Sequence, residues 1–392
     1  MDLEWAIGLN RRMLKIIGLW PEESKDQREE ILSKLRLLLN VIMLIFVLTI
    51  PALMALIKVW GDMVLVIDNL KYTLPLLITV LKVFIMWYKK RVLSPMIDMM
   101  VKDWLRAKME EERIVMLKQA RITRFLSICG AVMIFLILLI TFCSLCFGRQ
   151  FRHLTNLTDP IGKPGMPIQT YYLHDISSSP NFELTYLMQV IGVTASGFSY
   201  TAVDNFLGLL ILHICGQMEN LHLRLVNLEK DMNFKTILKY NVKDHIRLIR
   251  SIEIIDNTFN LMLLGFLFCF GILFCCHGFL IINVVNQGGH LSIVELVWYI
   301  CESGTVLMHT CLYCVVGELL VTQSEKIHRA AYEYVWYTLE PKIARNLTLI
   351  MVRTKKPPNI TAGKIFPMTM SMFCNLLKTS AGYISVLLAN QN

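Results

Sequence analysis

Asp204, His277, Glu302, His309, Glu318 and Lys378 all lie inside long apolar stretches of this chain. A charged side chain held mid-bilayer costs about 2.5–3.5 kcal/mol on insertion scales, so such groups turn toward protein or water and are functional candidates by default. Asp204 suits a bond that ties helices together, and His277 and His309 suit satisfied packing. Glu302 fits either a polar ligand head or a neighbouring helix. Lys378, near the middle of the last stretch, fits a vestibule or intersubunit contact as well as snorkelling or an internal ion pair. Two CxxC spacings, Cys143/Cys146 and Cys311/Cys314, sit on strongly apolar segments without clustered histidines or acids. Packing of the thiols as small hydrophobes is favoured over metal or redox chemistry. No phosphate-binding loop, zinc-protease motif or serine-nucleophile elbow is present, so neither an enzyme nor a cofactor is expected.

These residues need spans to hold them, and seven apolar stretches are long enough: 33–57, 64–88, 125–148, 185–212, 259–286, 294–322 and 364–389. The segments between them alternate in charge. Loops 1–32, 89–124, 213–258 and 323–363 carry 29 basic residues, whereas 58–63, 149–184, 287–293 and 390–392 carry 4. Basic loops stay in the cytoplasm, which predicts an inside N-terminus and an outside C-terminus, the reverse of a G-protein-coupled receptor. The fold class is an all-α membrane protein of seven transmembrane helices. The net charge of +9 flanks spans instead of forming an interleaved patch, so it points to lipid headgroups and not to nucleic acid. The first stretch follows more than thirty residues that include Asp2, Glu4, Glu22 and Glu23, and reads as an uncleaved signal anchor.

The inner loops are helix-patterned. Met218, Leu221, Leu225 and Leu228 recur near the helical period, which predicts that spans four and five continue below the bilayer. The outer loop 149–184 is rich in Pro and Gly and contains the sequon Asn156-Leu157-Thr158, the expected glycosylation site. The triplets at Asn346 and Asn359 fall on the inner side and are expected to be silent.

The last third holds the most specific sequence. Gly317-Glu318-Leu319-Leu320, Ser324-Glu325-Lys326-Ile327 and Trp336-Tyr337 are followed by Leu347 to Arg353. The chain closes with Phe373-Cys374-Asn375-Leu376-Leu377-Lys378-Thr379-Ser380-Ala381-Gly382-Tyr383. This ordered set over about 310–388 resembles the C-terminal signature of insect odorant receptors, with a flavour similar to the hymenopteran branch. The resemblance implies an odorant-gated cation channel: a heterotetramer of a variable odorant-binding subunit and a shared co-receptor, in the plasma membrane of olfactory sensory neuron dendrites. It divides the chain into 1–322 with spans and pocket, a cytoplasmic anchor 323–363, and a pore-lining helix with the C-terminus at 364–392.

The resemblance also places a pocket for a small volatile odorant in the outer half, between spans two, three, four and six. Candidate lining residues there are Tyr72 and Leu76, Ile137 and Ser144, Met188 and Gly192, and Tyr299 and Ser303, each pair at helical spacing. In the last helix Val386, Ala389 and Asn390 share a face, and Val386 falls where the family has an apolar constriction that gates by dewetting. A gustatory receptor is the nearest rival, but its usual Gln-Phe ending is missing after Gly382-Tyr383. A G-protein-coupled receptor is opposed by the charge asymmetry, and a transporter by the lack of a repeat between halves. The inner loop 213–258 lacks the larger insertion typical of the co-receptor, which favours the odorant-binding subunit.

Overall fold

In lipid every backbone N–H and C=O must be satisfied within its own segment, and helices dominate accordingly. The computed structural model describes residues 2–21, 26–106, 109–146, 156–159, 165–228, 234–286 and 293–389. Helix α1 (Asp2–Ile16) precedes the first long apolar unit, made of α2 (Gln27–Ile42), a π-helical segment Met43–Thr49 and α3 (Ile50–Lys58). Then come α4 (Met63–Tyr88), α5 (Lys90–Leu105), α6 (Glu110–Cys146) and α7 (Asn181–Val226). The chain continues with α8 (Phe234–Asn286), α9 (Ile293–Glu333), α10 (Pro341–Thr354) and α11 (Met370–Ala389). Carboxylates start two of these helices. Asp26 accepts from the Arg28 N–H at 3.0 Å, and Asp62 from Val64 and Leu65 at 3.0 and 3.2 Å.

Among the described residues six helical stretches, from Gln27–Lys58 to Ser303–Thr338, are long and apolar enough to cross a membrane. The seven expected spans map onto α2–α3, α4, α6, α7, α8, α9 and the 20-residue α11. The last begins at Met370 and not at 364. Thr361–Ala362 and Phe366–Pro367 pair instead as antiparallel strands β1 and β2, around a turn in which Gly363 and Lys364 both take φ of 62°. Asp256 on α8 pins this hairpin, accepting from the Thr361 N–H and hydroxyl at 2.7 Å each and from the Lys364 ammonium.

Spans four and five do extend as the sequence predicts. The 46 residues of α7 and 53 of α8 correspond to about 69 and about 80 Å at 1.5 Å per residue, far beyond a bilayer core of about 30 Å. Their extensions are joined by an ion-pair network. Asp103 on α5 meets His213 Nε2 at 3.1 Å and Arg247 at 2.6 Å. Arg247 also meets Asp244 at 2.8 Å, and Arg224 bridges Asp244 at 2.6 Å to Glu112 at 3.4 Å. Burial pushes the Asp103 carboxyl up, but the hydrogen bonds and charges of His213 and Arg247 outweigh it and hold it below the ordinary carboxylate value.

The first unit departs from a regular α-helix just before Pro51, for an identifiable reason. Pro51 lacks an N–H, so the Val47 carbonyl four residues back has no helical donor. Tyr172 from the loop before α7 supplies one, its hydroxyl donating to Val47 O at 3.0 Å, and the Tyr171 N–H donates to Pro51 O at 3.1 Å. The loop before α7 is thereby stitched to the first span.

His245 on α8 is buried beside Arg353, and desolvation followed by that cation depresses its pKa from 6.5 to about 4. The unfolded chain therefore binds a proton near neutrality that the folded chain refuses. This contribution to stability is complete above the unfolded pKa and is lost as pH falls toward about 4, at about 1.4 kcal/mol per pH unit. Thermal unfolding of the purified protein from pH 7 to 4 should show that slope, and His245→Gln should flatten it.

Candidate functional site

Between α4, α6, α7, α8 and α9 lies a cavity of about 210 Å³ whose walls are overwhelmingly apolar. Leu76 and Ile78 of α4 face Ile134 of α6, Val193 of α7, Phe266 and Phe270 of α8, and Val306 of α9 across it. Among the described residues its polar contributions are Lys71, Tyr72, Thr79, Ser196, Tyr200, Thr201, Thr305 and His309. On α4 the lining runs from Lys71 to Thr79, which is about 12 Å along the helix.

Two buried ion pairs on the same face of α4 bracket this space. Lys71 meets Asp68 at 3.1 Å near one end, with both side chains almost fully buried. One turn past Thr79, Lys82 meets Asp204 of α7 at 2.5 Å, with side-chain exposures of 0% and 1%. Tyr313 of α9 donates its hydroxyl to the same Asp204 oxygen. The Tyr200 ring lies over the Lys82 ammonium, 3.2 Å from nitrogen to centroid, adding a cation–π contact. His309 packs edge-on to Tyr200 at 5.1 Å and donates from Nδ1 to Thr305 O at 2.8 Å. Its Nε2 is 3.4 Å from the other Asp204 oxygen. Tyr200 and His309 are therefore shared: one surface of each lines the cavity and the other touches the ion pair beneath it.

The loop before α7 supplies a cover. Ile168 lines the cavity, and its N–H donates to Gln189 Oε1 at 3.3 Å. The Gln189 amide in turn donates to the Thr170 and Tyr172 hydroxyls at 2.8 and 2.9 Å. A single buried glutamine thus anchors loop, α7 and, through Tyr172, the first span.

Of the residues named from sequence, Tyr72 and Leu76 line the cavity. Met188 is 40% exposed and lies off it. Gly192 faces the first span instead, where a Cβ would press on the Leu48 side chain. Ser303 is half-buried, just short of the lining residues Thr305 and Val306. The side chains of Ile137, Ser144, Tyr299, Glu302, Val386 and Ala389, and residue Asn390 as a whole, lie outside the described residues. Asp204 does make the helix-to-helix bond expected of it, and His309 is a satisfied buried ring. Lys378 is exposed on α11 of the single chain. Asn156 is fully buried, its Oδ1 accepting from the Thr158 and Asp159 N–H groups at 3.0 and 3.2 Å, so a glycan there requires another arrangement of this loop. The sequence reading passed over Lys71, Lys82 and Asp68, although the cost of an intramembrane charge that singled out Lys378 applies equally to them.

Asp204→Asn or Lys82→Met alone leaves one buried charge unpaired and should lower stability by about 3–5 kcal/mol, whereas Lys82→Met with Asp204→Leu should recover most of it. Unfolding temperatures of the purified variants check this.

The model of the 7tm odorant receptor family matches residues 62–381. Odorant receptor 10 of Aedes albopictus is 27% identical over 215 residues, covering 53% of this chain and only 56% of that protein. Odorant receptor Or2 of Anopheles gambiae is 25% identical over 344 residues, covering 84% of this chain and 85% of that one. Among solved structures, the insect olfactory receptor OR5 from Machilis hrabei in complex with eugenol superposes with a TM-score of 0.84 at 14% identity, over 98% of both chains. That likeness carries the fold.

Proposed function

The chain belongs to the 7tm odorant receptor family, and from that membership we propose that it is the odorant-binding subunit of a heteromeric, odorant-gated, non-selective cation channel. The observation that carries this reading is the apolar cavity between the helices with few directional groups, the form that recognition of a small volatile molecule requires. Membership of the family and six to seven apolar helices make it a multi-pass membrane protein. In the proposed topology the N-terminus is cytoplasmic and the C-terminus outside, as the 29 to 4 division of basic residues argues. The partner is an insect odorant co-receptor in a tetramer, sited in sensory dendrites.

Tyr72 and Leu76 act in the pocket, and Ile137, Ser144, Tyr299 and Ser303 belong to the helices that surround it. Val386, with Ala389 and Asn390, forms the outer end of the pore, where a ring of apolar side chains excludes ions until it widens and hydrates. Odorant opens the channel only to the extent that it binds the open state better than the closed one.

Whole-cell recording from cells expressing the chain with an insect co-receptor, challenged with a broad volatile panel, should give cation currents that need both chains and persist when G-protein signalling is blocked. Currents evoked by soluble tastants alone would move the assignment to the gustatory branch. Ser196→Phe, which fills part of the cavity, should raise the half-maximal odorant concentration at least about tenfold at unchanged surface expression, since a change of one methylene already discriminates by about that factor in an apolar pocket.

A further inference from the structure

The basic residues at the inner side do more than set orientation, because the fold gathers six of them into one cleft. Arg11 and Lys15 of α1, Lys34 and Arg36 of α2, and Lys90 and Arg91 of α5 line a space of about 910 Å³. Among the described lining residues Glu29 and Glu30 are the two carboxylates, so these residues together carry a net four positive charges. Lys34 is held by Glu30 at 2.7 Å, and Arg36 donates to the Lys15 carbonyl at 3.3 Å. Lys15 and Arg91 make no ion pair among the described residues.

The position of the cleft identifies its occupant. Trp87 and Tyr88, exposed at the end of α4, line it, and Phe84 stacks on Tyr88 at 5.9 Å between centroids. Phe84 with Leu35, Leu38 and Leu39 begins an exposed apolar band on α2 and α4. Aromatic rings of this kind concentrate at headgroup level, and the apolar band marks where acyl chains start. Basic pockets between spans at the cytoplasmic face have the charge that phosphorylated headgroups need, and multivalent anions gain most from them.

We propose that this cleft binds the headgroup of a phosphoinositide of the inner leaflet, with its acyl chains running along Leu35, Leu38 and Phe84. The lipid joins α1, α2 and the α4–α5 corner. The inner-leaflet assignment rests on the inside N-terminus proposed above. The binding itself requires neither odorant nor channel activity.

The test is the unfolding temperature of the detergent-solubilised full chain, titrated with short-chain phosphatidylinositol bisphosphate, phosphatidylserine, phosphatidylcholine and free inositol trisphosphate. Saturable stabilisation by the phosphoinositide, weak by phosphatidylserine and absent with phosphatidylcholine, is expected. The triple variant K15Q/K90Q/R91Q, unchanged in unfolding temperature without lipid, should need at least about tenfold more phosphoinositide, because each basic residue contributes to headgroup attraction. K235Q/K239Q, which removes two exposed lysines of α8 remote from the cleft, should behave as wild type. Equal loss in both variants, or in neither, overturns the site. Equal stabilisation by free inositol trisphosphate overturns the lipid as occupant. A triple variant that unfolds at a lower temperature without lipid is replaced by Arg91→Gln alone, for which at least a twofold loss is expected and no loss overturns the proposal.

Discussion

The ion pair between Lys82 and Asp204 is the constraint around which the membrane half is arranged. Both side chains are removed from solvent, and neither charge can be held there without the other. Lys82 lies on α4 and Asp204 on α7, while Tyr313 brings α9 to the same carboxylate and Tyr200 closes over the ammonium. Three helices are thereby fixed in relative height and rotation. The cavity is what remains beside this fixed point, where Leu, Ile, Val and Phe make up much of the described lining and few polar groups draw the helices together. A satisfied polar network specifies one arrangement more sharply than apolar packing does, since every shifted register leaves a buried donor or acceptor unmatched.

The same rule operates at two further places. Below the membrane half, Asp103, Asp244, Arg224 and Arg247 lock α5, α7 and α8 together. At the base of α11, Asp256 holds the hairpin that precedes it, and the Glu318 carboxylate accepts from the Met370 N–H at 3.3 Å. That last bond caps an otherwise orphaned donor in the first turn of α11. Glu318 on α9 thus has a specific task that spacing alone did not reveal.

What the sequence makes legible follows from how local each constraint is. Hydropathy and the distribution of Lys and Arg are one-dimensional, so spans, their order and the helical extensions of α7 and α8 can be read directly. The start of α11 at Met370 could not, because Gly363 and Lys364 turn the chain under the control of Asp256, more than a hundred residues away. The pocket is legible only in part for the same reason. Helical spacing groups Tyr72 with Leu76, and Met188 with Gly192, but cannot say which face of each helix points inward. Leu48 of the first span occupies the face at Gly192, and Met188 lies off the cavity. Lys82 offered a usable signal, since a lysine in a span demands a partner, and Asp204 was the acid in a neighbouring span at a matching depth.

α9 is the element through which the cavity and α11 meet. His309 lines the cavity, Tyr313 binds Asp204 at its floor, and a turn further on Gly317 and Glu318 receive the segment that leads into α11. Gly317 has no room for a Cβ, which would run into the Met368 carbonyl, so the backbone of α9 and this segment touch directly. His309, Tyr313 and Gly317 recur every four residues along one stripe of α9, and over these two turns its ladder of hydrogen bonds resists sharp bending. A ligand that pushes on His309 has two outcomes available. Either the ring rotates and loses its bond to Thr305, or α9 moves as a unit and takes Met368 and Met370 with it. The fixed contacts of Tyr313 on Asp204 make a small tilt about that bond less costly than sliding, because sliding would strip a buried carboxylate of a donor. In the proposed channel, tilting about a buried polar pivot would convert a change in cavity shape on one side of Asp204 into a displacement of the base of α11 on the other.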